Sequence, residues 1–514
     1  MEKRTILAFI LMLLVLFLYQ TYFSPKPQEV KEKVAGTERV EKKAKEEKIV
    51  PETPLPKATA KEMVVENEVF KITFTEAGGG IRSVKLKKYR ESVKENKEKE
   101  ILEDIGPYLS IPAFRLISEE KIWQETSCQG YASNSQVKDK PEEITFKCDL
   151  SDGGKVKKTY RLYPSEYVID LKIEVEPKEK GRPAVDIAAF SIKRKTYNFK
   201  GPVLFNGRSL EQVEKIDKKR DVRDSYKYAG LDEGYFAVLW VPEHEIPDLT
   251  IMKSGPDLPV LRLSPKSGSV SGRLFFGPKK TEVLKSLNVK AEKIIDFGWF
   301  DIIAKPLVML LNLSHRMTKN YGIDIILLTI LIKIIFHPLT LKSYKSMKEM
   351  QRLQPQIMKL REKYKDNREK LNQELMELYR RRGINPMSGC LPMLIQIPVF
   401  FALYKALTGA IELRHAPFFL WIRDLSEPED LFSFTLLGFS IPVRILPLVM
   451  GVTQVIQQKM TPTGGDPMQE KIMLFMPIFF TFLFWGFPSG LVLYWLVNNV
   501  VSIFQQLMIN KKVR

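Results

Sequence analysis

The stretch that decides the fold is IMLFMPIFFTFLFWGFPSGLVLYWLVNNVVSIFQQLMIN, residues 472–510 of a 514-residue chain. Its 39 residues include no charged side chain, whereas a bilayer core takes about 20 mainly apolar residues per helix. The stretch is therefore long enough for two membrane helices. The 44% apolar content of the whole chain would suit a soluble protein, so the information lies in the uneven distribution of the apolar residues.

Four other runs are almost free of charge. Thr5–Pro25 and Gly383–Tyr404 have no charged residue, and residues 325–341 and 431–458 have one each. Together with the first stretch they exclude a soluble protein and predict six membrane helices. We place these helices at residues 1–25, 321–341, 387–410, 441–459, 471–487 and 489–509.

The loops predict the orientation. Two basic residues precede the first helix, and no small-residue cleavage site follows it, which favours an uncleaved signal anchor with a cytoplasmic N-terminus. Loop 342–385 then lies in the cytoplasm and is rich in Lys and Arg, whereas loop 411–440 lies outside and is rich in acids. The short loop 460–470 and the tail 510–514 are again cytoplasmic, in agreement with the positive-inside rule.

The long segment after the first helix lies outside. Residues 26–62 are rich in Lys, Glu, Val and Pro, which predicts a disordered linker. From 63 to 292, alternating segments separated by Gly, Pro and Asp predict a large antiparallel β-sandwich, closed by a helix at 280–291. Cys128 and Cys148 lie in this exported region, where they either pair or remain buried thiols. A folding and docking domain is favoured over an enzyme.

Known catalytic signatures are missing from the sequence. It has no phosphate-binding glycine loop, dinucleotide fingerprint or nucleophile elbow. The four histidines are too far apart for a metal motif, and three cysteines are too few for a disulfide-stapled scaffold. We therefore expect no catalytic residue, no metal and no cofactor.

Segment 296–316, just before the second membrane helix, predicts an amphipathic helix. Its apolar face consists of Phe300, Ile303, Leu307, Leu310 and Leu311, with polar residues opposite. Aromatic residues at its start suit the headgroup level. We expect this helix to lie in the outer membrane interface, and packing on the β-domain is the alternative.

One cation lies inside a predicted span. Lys333 is near the middle of residues 323–341, and Thr329 and His337, four residues to either side, share its face. A charge at mid-bilayer costs about 2.5–3.5 kcal/mol even on the mild insertion scale, and the apolar runs of the other predicted spans contain no Asp or Glu. Lys333 should therefore meet water, lipid phosphate or a transient guest, with snorkelling to the interface as the alternative.

Uncharged polar residues in the other spans are candidates for lining the same wet cavity or for joining helices. They are Gln396, Asn498, Asn499, Gln505 and Gln506. Lys405 and Arg444 lie nearer the outer ends of their spans, so both are expected to snorkel.

The basic loop 342–385 has a helical pattern. From Met350 to Tyr364, and again from Leu371 to Leu378, apolar residues recur at steps of three and four. This predicts two antiparallel helices with a coiled-coil seam, the first kinked by Pro355. The 13 Lys and Arg from Lys342 to Arg382 predict a mobile hairpin that meets acidic lipid, ribosomal RNA or an acidic nascent chain. A purely topological role explains the charge but not the seam.

Two functions remain on the residues alone. One is a membrane chaperone that shelters polar segments in a cationic groove, and the other is a secondary transporter for an anionic solute. Transporters commonly show internal repeats, and none is evident. The β-domain and the basic hairpin also favour the handling of polypeptides.

Residues 297–509 strongly resemble the YidC/Oxa/Alb family of membrane protein insertases. The matching motifs, in order, are GWF at 298–300 with KPL at 305–307, LQPQI at 353–357, NP at 385–386 with GCLPMLIQIP at 389–398, ELRHAPF at 412–418, QKM at 458–460 and FPSGLVLYW at 487–495. The β-domain and the first helix resemble the form found in two-membraned bacteria, which implies the inner membrane as the location.

The resemblance implies an insertase that uses no nucleotide, with five core helices around a groove open to the cytoplasm and the lipid. The resemblance places Lys333 in the groove, together with an aromatic residue of the last span that corresponds to Tyr494 or Trp495. The polar residues Thr329, His337, Gln396, Asn498 and Asn499, identified from the spans themselves, complete the set of groove candidates. The implied hydrophobic slide, along which a substrate helix exits, consists of Leu394, Ile397, Phe400, Phe401, Leu403, Phe479, Phe480, Leu483 and Phe484. The family usually has Arg where this chain has Lys333, and Lys keeps the charge but not the bidentate fork.

The implied partners are nascent membrane proteins and the Sec translocon. Some family members bind ribosomes through long basic tails that this chain lacks, so ribosome docking would fall to the hairpin 342–385, which would also meet anionic lipids. The β-domain resembles sugar-mutarotase sandwiches, but no sugar activity is implied.

Overall fold

The computed structural model describes residues 60–512 except 94, 104, 107, 119–120, 133, 193–198, 217–218, 223–224, 256, 366, 384–390, 430, 437–438 and 461–466. The predicted anchor 1–25 and nearly all of the linker 26–62 lie outside these residues. The chain divides into two compact units: the first contains the residues up to 91 together with 95–294, and the second consists mainly of residues 295–514.

The first unit is a β-domain with these described strands: β1 Glu62–Glu66, β2 Phe70–Thr75, β3 Gly80–Arg90, β4 Glu98–Glu100, β5 Ala113–Ile117, β6 Ile122–Ala132, β7 Glu142–Leu150, β8 Lys155–Leu162, β9 Val168–Glu176, β10 Arg182–Ala188, β11 Gly201–Phe205, β12 Leu210–Gln212, β13 Arg220–Val222, β14 Tyr228–Asp232, β15 Phe236–Pro242, β16 Asp248–Ser254, β17 Leu258–Ser264 and β18 Ser269–Pro278. Alternating burial along strands such as β8 is what a sheet with one buried face requires.

The strands form two sheets. Strands β1 to β4 pair in chain order, and the others form a 14-stranded sheet in the order β12-β11-β14-β15-β18-β9-β8-β7-β6-β5-β10-β17-β16-β13. Sheets of this width tend to curl or split, and here β17 contacts β11 and β14 from the opposite end of the order. The smaller sheet packs on the larger, where the Phe74 ring lies 5.2 Å from that of Tyr160. A large antiparallel β-domain is thereby confirmed.

Cys128 and Cys148 form a disulfide. They lie directly opposite each other on β6 and β7, with their Cα atoms 4.0 Å apart. Gly79, with φ at +54°, packs over the bond, since a Cβ there would lie 2.6 Å and 2.9 Å from the two sulfur atoms. Of the two alternatives that the sequence left open, pairing is the one found.

Replacing both Cys128 and Cys148 with serine should lower the free energy of unfolding of the β-domain by up to about 3 kcal/mol, because the bond closes a loop between residues 20 apart. Guanidinium denaturation of the detergent-solubilised full-length protein, followed by circular dichroism, measures the change. The matched control is Cys390→Ser, which alters the remaining cysteine and should leave the β-transition in place. A double variant as stable as the parent would contradict a stabilising role for the bond.

The described helices are α1 Thr281–Lys285, α2 Asp301–Thr318, α3 Tyr321–Ile335, α4 His337–Arg352, α5 Gln354–Lys363, α6 Arg368–Arg381, α7 Leu391–Gly409, α8 Ile445–Met460, α9 Pro467–Phe484 and α10 Ser489–Lys512. The helix expected at 280–291 is reduced to α1. It cannot continue because Asn288 and Lys290 have φ values of 57° and 58°, in the left-handed region.

The helix predicted at 321–341 is broken. It ends at Ile335, and α4 continues at an angle of 63° to α3. Pro338 lies in the first turn of α4, where its missing N–H is tolerated, but it cannot extend α3. As a correction to the sequence prediction, Lys333 lies in the last turn of α3 rather than near the middle of a continuous helix.

Among the described residues, the segment Ser489–Ile509 of α10 is long and apolar enough to cross a membrane by itself, and the bent pair α3–α4 could form a second crossing. Leu394–Gly409 and Phe475–Phe484 are shorter apolar helices. A β-hairpin, β19 Phe432–Leu436 and β20 Phe439–Val443, precedes α8, and its last three residues overlap the start of the span predicted at 441–459. The count of six crossings stays a prediction.

The basic loop forms helices α4 to α6. Helix α5 begins at Gln354 with Pro355 in its first turn, so the expected kink is a break at Leu353. Leu353 and Ile357 are buried, and α5 packs on α6. Asn367 caps α6 by accepting a hydrogen bond from the Lys370 amide at 3.0 Å.

A loop at residues 411–429 closes one end of the helical unit. The amide of Ser489 donates to the Glu427 carbonyl at 2.8 Å, and that of Gly490 donates to the Leu425 carbonyl at 2.9 Å. These bonds satisfy N–H groups that the start of α10 would otherwise leave unpaired. The ring of Phe418 from the same loop covers Gly322 in α3, where a Cβ would overlap with it.

Arg444 is part of the same closure. Its guanidinium donates to the Glu429 carbonyl at 3.0 Å and to the Trp485 carbonyl. The Glu429 carboxylate accepts from the amides of Ile445 and Leu446 at 2.9 and 2.7 Å. Backbone carbonyls thus accept from the guanidinium of Arg444, and its snorkelling to the outer interface stays a prediction.

Candidate functional site

The predicted cation Lys333 faces α10. Its Nζ donates a hydrogen bond of 2.7 Å to Oγ of Ser502, a residue 169 positions later. The Ser502 hydroxyl in turn donates to the backbone carbonyl of Asn498 at 2.7 Å. Lys333 is half-buried and makes no ion pair with any described residue. The ammonium group of Lys333 therefore contacts a neutral hydroxyl and not a carboxylate.

One turn further along the chain, α4 adds a second contact with α10. His337 at the start of α4 places Nδ1 3.4 Å from Nε2 of Gln505. We call Lys333, His337, Asn498, Ser502 and Gln505 the polar seam. Asn498, Ser502 and Gln505 are four and three residues apart, so they lie on one face of α10.

Thr329 does not extend the seam. Its hydroxyl donates to the Ile325 carbonyl of its own helix at 2.6 Å, and the residue is buried. The stripe predicted along Thr329, Lys333 and His337 therefore contributes two side chains to the contact with α10.

Asn499 also lies outside the seam. Its Nδ2 points to α8, 3.5 Å from the Met450 carbonyl and 3.4 Å from the Thr453 hydroxyl. Gln506 likewise donates to the Met460 carbonyl of α8. Adjacent residues of a helix point about 100° apart. In each of the pairs Asn498–Asn499 and Gln505–Gln506, the first residue therefore lies on the polar-seam face of α10 and the second on the face toward α8. Asn499, predicted for the groove, is a helix–helix contact.

Tyr494 and Trp495 have different surroundings. Tyr494 is fully buried and accepts a hydrogen bond from Nε2 of Gln396 on α7. The Trp495 ring packs instead on Phe400, Phe480 and Phe484, with ring centroids 5.2, 5.6 and 5.1 Å away. Trp495 thus belongs to the aromatic cluster between α7, α9 and α10 rather than to the polar seam.

The predicted slide residues differ in exposure. Leu394 and Ile397 are exposed on α7, and Phe400, Phe401, Phe479, Phe480 and Leu483 are half-buried. Leu403 and Phe484 are buried in the helical core. In this structure those two side chains therefore support the surface rather than form it.

Sequence reasoning missed several residues. Ser502 carries the contact with Lys333, and its position four residues after Asn498 was the available signal. Phe475, Ile478 and Phe482 are exposed on α9, three and four residues apart, and they extend the apolar surface. Asp324 is fully buried in α3, where it accepts from Thr318 at 2.7 Å and lies 3.0 Å from His315.

Asp324 is not a counter-ion for Lys333. The two residues are nine positions apart in α3, which corresponds to about 13.5 Å along the helix axis. The side chain is also occupied by Thr318 and His315. The charge of Lys333 stays uncompensated by any carboxylate in the described part of α3.

Comparisons with known proteins identify the family. Residues 62–310 match the model described as the YidC periplasmic domain, and residues 313–514 match that of the 60Kd inner membrane protein. A relative from Syntrophus aciditrophicus, named membrane protein insertase YidC, is 38% identical over 562 aligned positions, covering all of both chains. This chain belongs to the YidC insertase family. A relative of the same name from Geotalea daltonii is 39% identical and covers 99% of each chain.

The solved structures include a YidC insertase described as active with its first transmembrane domain resolved. It covers 97% of this chain and 98% of its own, at 20% identity and a TM-score of 0.39. A galactose mutarotase related enzyme from Lactobacillus acidophilus covers 42% of this chain and 97% of its own, at 11% identity and a TM-score of 0.27. The curated YidC relatives carry the name of an insertase and not of an enzyme. Membership of the family makes this chain an inner membrane protein that acts in membrane protein insertion.

Proposed function

We propose that this protein inserts nascent membrane proteins by holding a polar segment in the polar seam while an adjoining apolar segment rests on α7 and α9. The observation that carries the proposal is the contact of Lys333 with Ser502, which leaves a half-buried cation without a carboxylate partner among the described residues. Such a charge is costly in a membrane unless it meets water or a guest. No nucleotide hydrolysis is needed.

The apolar surface offers a place for the adjoining segment. Leu394, Ile397, Phe475, Ile478 and Phe482 are all exposed on α7 and α9. Exposed apolar residues of this number are stable in a lipid environment and mark a surface for a lipid or an apolar helix. The half-buried aromatics behind them form a rigid support, as ring packing around Trp495 indicates.

The proposed topology has six crossings, with both termini in the cytoplasm. Loop 411–429 then closes the outer end of the helices, and the polar seam, at the opposite end of α3, opens toward the cytoplasm. Helix α2 buries Ala304, Leu307 and Leu311 against α3 and α7, while Trp299 and Met317 are 99% and 88% exposed. These exposed side chains suit the outer membrane interface.

The proposed partners follow from charge and family. Helices α4 to α6 carry most of the 13 Lys and Arg of the basic loop, so we assign anionic lipids and the ribosome to this hairpin. Cooperation with the Sec translocon is proposed from the family resemblance.

Adding lysines to a short translocated tail should reduce insertion. Lys333 repels a basic tail by about 1–4 kcal/mol at 4 Å, depending on the local dielectric, so efficiency should fall at least about fivefold per lysine. The measurement is protease protection of a purified substrate series in proteoliposomes that contain only this protein. Matched tails with glutamate are the control and should insert at least as well as the neutral tail. If added lysine leaves efficiency unchanged or raises it, the groove mechanism fails and the transporter interpretation returns.

A further inference from the structure

Two side chains on the polar-seam face of α10 carry acceptors without a donor. Oδ1 of Asn498 and Oε1 of Gln505 are buried and accept no hydrogen bond from any described residue. Both side chains are more than nine-tenths buried, at 7% exposure each. An acceptor without a donor is unfavourable in an apolar environment. The two oxygens therefore indicate a site whose partner is a hydrogen-bond donor.

The opposite wall of the seam supplies the complementary group. Lys333 has three N–H donors and no acceptor, and it donates to Ser502. The seam thus has a donor on α3 and acceptors on α10. A peptide group has the same two functions, since its carbonyl accepts and its N–H donates. A carboxylate would use Lys333 alone and leave both oxygens unpaired.

The two oxygens need separate donors. Asn498 and Gln505 are seven residues apart, which is about 10.5 Å along a helix. An extended chain presents N–H groups on one side at every second residue, about 6.8 Å apart. One strand therefore offers more than one N–H group over the length that separates the two acceptors.

We propose that the polar seam binds the backbone of the translocating segment, with Lys333 donating to a peptide carbonyl while Asn498 and Gln505 accept peptide N–H groups. This inference rests on the proposed function and specifies what the site recognises. In the substrate-free state the contacts of Lys333 with Ser502 and of His337 with Gln505 hold the walls together. The entering backbone replaces these contacts, so the site accepts polar segments of unrelated sequence.

An ester substitution in the substrate tests this directly. Cell-free translation with α-hydroxy acids converts chosen peptide bonds of a short uncharged tail into esters, which removes N–H donors and keeps the chain length. The full-length protein in proteoliposomes should insert the ester tail about threefold to tenfold less efficiently than the amide tail, the effect of one to two hydrogen bonds. The variant Asn498→Leu with Gln505→Met should insert the two tails equally.

The neighbouring pair on α10 provides the matched control. Asn499→Leu with Gln506→Met changes the same residue types on the face toward α8, where Gln506 donates to Met460 and its own Oε1 also has no donor among the described residues. Because these two residues lie outside the polar seam, the variant should keep the preference for the amide tail. Equal insertion of both tails by the unaltered protein overturns backbone recognition but leaves the insertase function in place. A preference that survives in the Asn498 and Gln505 variant overturns the assignment to these residues. Failure to insert even the amide tail overturns the proposed function itself.

Discussion

Replacing Lys333 with glutamate is expected to reduce insertion at least about tenfold, whereas arginine at the same position should preserve it. The side chain is half-buried and contacts the neutral Ser502, so its contribution is its charge. Glutamate reverses the potential in a low-dielectric site and repels acidic or carbonyl-rich segments by several kcal/mol, and 1.4 kcal/mol corresponds to a factor of about ten. Insertion of a neutral-tailed and an acid-tailed substrate into proteoliposomes measures the effect.

The neutral variant Lys333→Met separates charge from packing, since it keeps the length of the side chain. It should fall between the lysine and glutamate forms, and the acid-tailed substrate should be affected most. Thermal unfolding in detergent checks that all three variants fold. Full activity of the glutamate variant on every substrate would rule out an electrostatic role for Lys333.

Deleting residues 347–379 is expected to stop insertion while the protein still reaches the membrane. The deletion removes the buried contact between α5 and α6 together with most of the exposed cations of the basic loop. Membrane fractionation reports the location of the variant, and the proteoliposome assay reports its activity. Normal insertion by this variant would reduce the hairpin to a topology signal.

Two smaller changes separate the folded α5–α6 contact of the hairpin from its exposed positive charge. Ile357→Asp places a charge at a position that is 1% exposed and should open the α5–α6 contact without changing the exposed cations. Replacing the exposed Lys359, Lys363, Lys370 and Arg380 with glutamine keeps the α5–α6 contact and removes positive charge. Loss of activity in the glutamine variant alone would assign the role to charge, and loss in the Ile357 variant alone would assign it to the folded hairpin.

The large features of the fold could be predicted because they depend on local pattern. Alternation along segments such as Val168–Glu176 predicts strands, and the heptad spacing around Ile357 predicts the paired helices of the hairpin. The order of the 14 strands could not be predicted, since a two-residue period identifies a strand but not its neighbour. The pairing of Cys128 with Cys148 needed that neighbour relation and stayed open for the same reason.

The candidate site was predictable in type but not in detail. The isolated charge of Lys333 identified the site, yet the partner Ser502 is 169 residues away and a serine in an apolar helix is a weak signal. Asn499 was predicted for the groove by its polarity and Trp495 was one of two aromatic candidates from the resemblance, whereas helix rotation turns them toward α8 and the aromatic cluster. Pro338 broke a helix that hydropathy alone had extended, because hydropathy contains no information on backbone N–H groups.

The contact between Gly322 and Phe418 has a consequence for how related sequences can diverge. Because the Phe418 ring occupies the space of a Cβ at position 322, the two positions cannot both be large. A homologue with alanine or serine in place of Gly322 should therefore have a small residue in place of Phe418. Conversely, a small residue in place of Phe418 allows a residue larger than glycine at position 322. These two positions, 96 apart in the chain, should covary across an alignment as a pair, even though neither touches the polar seam.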